Sequence, residues 1–194
     1  VRMPCSRAIV VEPVHDAVLD RVKRLTEGLR LGDATSPETQ MGAVVDERQM
    51  EKVLSYIKIG RREGKLVCGG GRRPREGWFV EPTIFSGVKP EARLAQEEIF
   101  GPVLAFLKAR DFDDAMAIAN GTEYGLTGAY YGRERLARAA EEFHVGNLYL
   151  NRKCTGAIVD VQPFGGFNMS GTDSKAGGRE YLAQFMQLKA VTEA

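Results

Sequence analysis

The feature that most restricts the fold is the alternation of strand and helix patterns between residues 102 and 150. It begins with PVLAFLKA (102–109), a continuous apolar run typical of a strand that is buried on both faces. Helix and strand patterns then alternate, and the last strand pattern is VGNLYLN (145–151). Such alternation is typical of βαβ units, whose strands are parallel. We therefore predict an α/β fold with a largely parallel sheet flanked by helices.

Two helices are predicted before this region from their start and stop signals. Pro13 lies near the start of the first, and its apolar spacing continues until Gly32. Asp46, followed three residues later by Gln49, forms a candidate capping box for the second, and Gly64 is a suitable residue to end it. Further strand patterns are RAIVV, KLVCGGG and WFVEPTIF.

Composition excludes several classes of function. The 194 residues suffice for one domain, and 27 basic against 26 acidic residues give a net charge of +1. Interspersed charges of this kind do not form a nucleic-acid-binding surface. We also expect no membrane association, since no apolar run reaches the roughly 20 residues that span a bilayer. The chain begins at Val1 rather than at Met, and we expect that its natural beginning is missing.

The cysteines and histidines do not form a recognisable catalytic or metal-binding motif. His15 and His144 have no clustered partner and no zinc-ligand spacing, so we expect no metal site. Three scattered cysteines and no visible signal peptide favour a reducing cytosol and a cytoplasmic location. Cys68 is interpreted as structural. Cys154, beside Lys153, is a candidate reactive thiol, although a buried inert thiol fits the local pattern better.

The stretch AQEEIFGPV (95–103) places two adjacent carboxylates directly before the buried strand. In one interpretation Glu97 and Glu98 lie in a solvated loop. In the other, one carboxylate accepts paired hydrogen bonds from the adjacent hydroxyls of a ribose, and Phe100 packs against a flat ring. Spacing alone does not decide between them.

Several motifs in one order resemble the aldehyde dehydrogenase superfamily over essentially the whole chain. They are EEIFGPV, GWFVEPTIF, ANGTEYGLTGAYY, VGNLYLNRK and PFGGFNMSG. Within the superfamily, the stretch from 143 to 178 is most similar to the Δ1-pyrroline-5-carboxylate dehydrogenase branch. The resemblance implies NAD-dependent oxidation of glutamate γ-semialdehyde to glutamate in proline catabolism. It also implies a catalytic-domain fold with a C-terminal strand that joins homo-oligomers.

The resemblance also implies site residues. Glu98 corresponds to the carboxylate that binds the nicotinamide ribose of NAD, and Phe100 to a residue packed near the nicotinamide. Gly156 and Ala157 correspond to the anchor loop, whose backbone amides hold the substrate carboxylate. Phe164 corresponds to the aromatic residue that lines the aldehyde tunnel.

The chain departs from the family pattern at the nucleophile. When the chain is aligned with the family on Ser6 and Arg7, Arg2 lies at the position of the family's cysteine and Met3 at the position of its substrate-binding serine. We do not assign the role of nucleophile to Cys5. We therefore name no catalytic residue and expect the isolated chain to be inactive. We expect residues 1–180 to be a catalytic domain without its N-terminal cofactor domain, and 181–194 an oligomerisation tail. The alternatives are a dehydrogenase for another aldehyde and a truncated, non-enzymatic oligomerisation domain.

Overall fold

The computed structural model describes residues 5–73, 77–154, 158, 160–171 and 176–193. The chain divides into two compact units, Cys5–Ala119 and a second that begins at Asn120. The elements of the first unit are β1 (Arg7–Val11), α1 (Glu12–Glu27), α2 (Glu47–Glu63), β2 (Lys65–Cys68), β3 (Thr83–Ser86), α3 (Arg93–Gln96), β4 (Val103–Ala109) and α4 (Phe112–Asn120), of which only the last residue, Asn120, belongs to the second unit. Those of the second are β5 (Tyr124–Gly125), β6 (Thr127–Tyr130), α5 (Leu136–Glu142), β7 (Asn147–Leu150), β8 (Phe167–Asn168) and a 3-10 helix (Arg179–Phe185).

The first unit is built on a four-stranded sheet in the order β1-β4-β3-β2. Its central strand β4 is parallel to both neighbours, with Arg7 opposite Ala105 and Thr83 opposite Val103. Only β2, at the edge, runs antiparallel. Five of the seven β4 residues are buried. The prediction of a buried strand in a largely parallel sheet is therefore confirmed.

Helix α2 packs its apolar face on one side of this sheet. Met50, Val53 and Ile57 are buried together with the sheet residue Phe85. Gly60 permits the close approach, because a Cβ at this position would lie 2.7 Å from Phe85 Cε2. On the other side, α1 contributes Leu19 and Val22 to a cluster around Phe106. The sheet is thus covered by helices on both faces, and α2 is fixed against it.

The helix ends differ in part from the predictions. Helix α1 ends at Glu27 rather than near Gly32, because the Gly28 amide closes the last turn on Arg24 O. Asp46 Oδ1 accepts the predicted capping bond from the Gln49 amide at 2.7 Å. Gly64 follows α2 with an extended backbone instead of a left-handed one, and a Cβ there would lie 2.9 Å from Ser86 O.

The second unit contains two small sheets. Strands β6 and β7 pair in parallel, and β5 pairs antiparallel with β8. The alternating patterns of 102–150 therefore form parallel pairs, as predicted, but β4 and the β6–β7 pair belong to different sheets.

The predicted C-terminal strand is not confirmed. Residues 179–185 form a 3-10 helix, and residues 186–193 belong to no helix or strand. Leu188 in this segment is fully exposed. A strand that forms by pairing with another subunit has no partner within a single chain.

In the part of the chain that the structure describes, no helix has the length and apolar character to cross a bilayer.

Candidate functional site

The EEIFGPV loop connects the short helix α3 to β4 and lies against α2. Three polar side chains of α2 contact it: Gln49, Lys52 and Tyr56. Their spacing of three and four residues places them along one helix face. Val53 lies on the same helix beneath Gly101, where any Cβ would collide with its methyl groups. Helix α2 therefore determines where this loop can lie.

Glu97 is fixed by two partners. Arg93 donates from Nε to Oε1 at 2.7 Å and from Nη2 to Oε2 at 2.9 Å, which makes the pair bidentate. Tyr56 Oη donates to Oε2 at 2.6 Å. Arg93, and after it Tyr56, lowers the pKa of Glu97 from 4.5 to about 2. The same contact with Glu97 raises the pKa of Tyr56. This carboxylate is therefore part of the scaffold.

Glu98 differs from Glu97 in that its main chain, rather than its carboxylate, is held by α2. Lys52 Nζ donates to its backbone carbonyl at 3.1 Å and so fixes its main chain. Its side chain is exposed, and its carboxylate has no hydrogen bond or ion pair among the described residues. Of the two adjacent acids, only Glu98 has its carboxylate oxygens available to a ligand.

Phe100 has an unusual backbone conformation. Its φ of 60° lies in the left-handed region, which is rare for a bulky residue, and its side chain is 51% exposed. Gln49 Nε2 donates to the carbonyls of Ile99 and Phe100, both at 3.0 Å. This side-chain amide supports the strained turn, in which the exposed aromatic ring of Phe100 follows Glu98 by two residues.

An open concavity of about 540 Å³ borders the same part of α2. Its lining residues are Val45, Asp46, Arg48, Gln49 and Lys52. Sequence reasoning missed the contribution of α2 to the site. The only available signal was the polar stripe at positions 49, 52 and 56, beside the apolar stripe that faces the sheet.

The residues predicted to bind substrate belong to the second unit. Gly156 and Ala157 lie outside the described residues. Phe164 is half-buried and forms a two-way backbone bridge with Ala176, with N···O distances of 2.9 and 2.7 Å. Its neighbours Pro163 and Gly165 both contact the side chain of Asn147. Phe164 is therefore held through its own backbone and through its neighbours.

The thiols differ in exposure. Cys5 is exposed, and its Sγ donates to Arg7 O at 3.1 Å. Cys68 is buried, and desolvation, followed by the charge of Glu27, raises the pKa of this thiol. Cys154 is partly buried. Within the described segments, no three His, Cys, Asp or Glu side chains are grouped as they would be around a metal ion.

The sheet topology, the loop on α2 and the motif order point to one class of protein. The profile described as "Aldehyde dehydrogenase family" matches residues 2–191, and the chain belongs to this family. It is 60% identical over 191 residues to the 1-pyrroline-5-carboxylate dehydrogenases of Geobacillus sp. (strain WCH70) and Geobacillus kaustophilus (strain HTA426). Each match covers 97% of this chain and 37% of the relative, so the chain spans little more than a third of these relatives' length.

Solved structures show the same similarity. A 1-pyrroline-5-carboxylate dehydrogenase from Thermus with bound NAD superposes with a TM-score of 0.92 at 53% identity, covering 96% of this chain and 36% of that one. Proline utilization A from Bdellovibrio bacteriovorus gives 0.89 at 45%, covering 94% and 19%. A betaine aldehyde dehydrogenase from Staphylococcus aureus in complex with NAD+ gives 0.87 at 28%, covering 93% and 37%.

Proposed function

We propose that this chain is part of an NAD-dependent 1-pyrroline-5-carboxylate dehydrogenase, which oxidises glutamate γ-semialdehyde to glutamate in proline catabolism. The identity of 60% to dehydrogenases of that name, against 28% to a betaine aldehyde dehydrogenase, supports this substrate. In the structure, the carboxylate of Glu98, exposed and without a partner among the described residues, next to the paired carboxylate of Glu97, carries the proposal.

The residues of the loop suit a nicotinamide dinucleotide. Glu98 would accept hydrogen bonds from the two adjacent hydroxyls of a ribose, for which a carboxylate is the natural bidentate acceptor. Phe100, exposed and two residues further along the chain, would pack against the flat nicotinamide ring. Bound NAD supplies the hydride acceptor for oxidation of the aldehyde. The task of this chain's residues is to hold the ribose and orient the ring.

On the substrate side, Phe164 would line the path of the aldehyde's hydrocarbon chain. The Gly156 and Ala157 amides would hold the α-carboxylate, a role assigned from the resemblance alone. We do not assign the role of nucleophile to any residue of this chain, Cys5 included. We therefore propose that the isolated chain is inactive and that the complete enzyme supplies the thiolate.

We further propose residues 1–180 as the catalytic domain and 181–194 as a tail that joins a homo-oligomer in the cytoplasm. The exposure of Met186, Leu188 and Val191, at 73%, 100% and 80%, supports the tail, because apolar side chains at this density favour contact with a second copy.

A chimera tests the proposed function. In the Geobacillus kaustophilus relative, the 191 matched residues are replaced by those of this chain, with the cysteine and serine of the family pattern placed at positions 2 and 3. We expect NADH formation from glutamate γ-semialdehyde and much slower turnover of betaine aldehyde. The 194-residue chain alone serves as the control and should form no NADH. An inactive chimera, or one that prefers betaine aldehyde, would contradict the proposal.

A further inference from the structure

Asn147, in β7, contacts the loop 163–165 through both ends of its side-chain amide. Its Nδ2 donates to Pro163 O at 3.0 Å, and its Oδ1 accepts from the Gly165 amide at 3.2 Å. The two contacts lie on either side of Phe164. An amide side chain can form such a pair because it presents one donor and one acceptor, as a peptide group does.

The loop has little freedom to move away from this contact. The backbone of Gly165 passes so close to Gly146 that a Cβ atom on Gly146 would collide with the carbonyl of Gly165. On the other side, Phe164 exchanges two backbone hydrogen bonds with Ala176. Asn147 is itself anchored, because its own amide donates to Leu126 O at 3.1 Å and its strand pairs with β6. A fixed strand therefore supports the backbone on both sides of one aromatic residue.

We infer that Asn147 is a positioning residue, which holds Phe164 in place and thereby sets the affinity of the site for its aldehyde. This inference rests on the proposed function, because Phe164 matters for affinity only if it lines the substrate path. Other side chains would not replace Asn147. Aspartate lacks the donor and would face Pro163 O with a second acceptor, and alanine makes neither contact.

Asn120 provides a matched control in the same unit. Its Nδ2 donates to Glu142 O at 2.8 Å, and its Oδ1 accepts from the His144 amide at 2.9 Å. The bonding pattern is the same, but the partners of Asn120 are backbone groups of Glu142 and His144 rather than those on either side of Phe164. Removing either amide should lower stability to a similar degree, and only the Asn147 variant should change the handling of the aldehyde.

The positioning step can be measured on the 194-residue chain by amide hydrogen exchange. In Asn147→Ala we expect the Phe164 and Gly165 amides to exchange about tenfold faster, since two supporting bonds are lost. Asn120→Ala should instead accelerate His144 and leave Phe164 unchanged. Unchanged exchange at both Phe164 and Gly165 in Asn147→Ala would overturn the inference, whatever the fate of the proposed function.

The functional step is measured on the chimera by steady-state kinetics. We expect Asn147→Ala and Asn147→Asp to raise the KM for glutamate γ-semialdehyde about tenfold, with the KM for NAD unchanged and kcat reduced less than twofold. In Phe164→Ala the KM should already be raised, and adding Asn147→Ala should raise it no further.

The outcomes separate the two proposals. An inactive chimera overturns the proposed function and the inference with it. An active chimera in which Phe164→Ala raises the aldehyde KM and Asn147→Ala does not overturns the inference alone. Equal effects of Asn147→Ala and Asn120→Ala on the aldehyde KM would also overturn it, because they would indicate a general loss of stability.

Discussion

Tyr56 Oη donates a hydrogen bond of 2.6 Å to Glu97 Oε2, across 41 residues of sequence. Together with the Arg93 fork, this contact gives two adjacent carboxylates different roles. Glu97 is fixed against α2, and the carboxylate of Glu98 remains exposed without a described partner. An acidic pair that looks uniform in sequence is thus divided into one structural and one available carboxylate.

Removing the Tyr56 hydroxyl should weaken this arrangement without abolishing it. We expect Tyr56→Phe to lower the free energy of unfolding by about 1 kcal/mol, because one partly exposed hydrogen bond to a charged group is lost. Arg93 still pairs with Glu97 in the variant. Urea unfolding followed by circular dichroism measures the change. Tyr131→Phe, which removes a hydroxyl from a 64% exposed ring, should leave the midpoint unchanged; an equal loss in both variants would contradict the assignment.

The stabilising effect of Glu97 should disappear in acid. Its pKa is lowered in the folded protein from 4.5 to about 2, so folding favours the ionised form. The contribution is therefore present above pH 4.5 and is lost as the pH falls toward about 2. The difference in unfolding free energy between the parent chain and Glu97→Gln should shrink across this window. A difference that stays constant from neutral pH into this range would show that the ionised pair does not contribute to stability.

Thiol labelling should distinguish the cysteines by exposure. Cys5 should react first with a thiol-specific reagent, since it is exposed. Cys68 should react only when the chain unfolds, because it is buried and burial raises the pKa of its thiol. Peptide mapping after timed labelling in the native state measures the labelling rates of both cysteines. The Cys68→Ala variant shows which of the two rates belongs to Cys68. Rapid native labelling of Cys68 would contradict its burial in the folded chain.

The sequence predicted those elements whose signals are local. The β4 strand follows from an uninterrupted apolar run, and the start of α2 follows from Asp46 and Gln49. The fold class followed from alternation, and the family from several motifs in one order. The signals for β4 and α2 lie within a few residues of the structure that they specify, whereas those for the fold class and the family are patterns that extend along the chain.

The remaining features depend on contacts between distant residues. The Gln49 side chain, expected to complete a capping box, instead bonds to carbonyls 50 and 51 residues away. The left-handed φ of Phe100 could not be predicted either, because bulky residues rarely adopt it and tertiary contacts impose it here. The tail strand remains a prediction, since its formation depends on a partner subunit.

The central claim is that Glu98 binds the ribose of NAD while Glu97 belongs to the scaffold. The most direct test is the KM for NAD of the chimera carrying Glu98→Gln, with Glu91→Gln as a control that makes the same charge change at an exposed position in the same unit. We expect Glu98→Gln to raise the KM for NAD about tenfold, because a charged acceptor of two hydrogen bonds is replaced by a neutral one. The urea midpoint should not change, and Glu91→Gln should behave as the parent. An unchanged KM for NAD in Glu98→Gln would contradict the account.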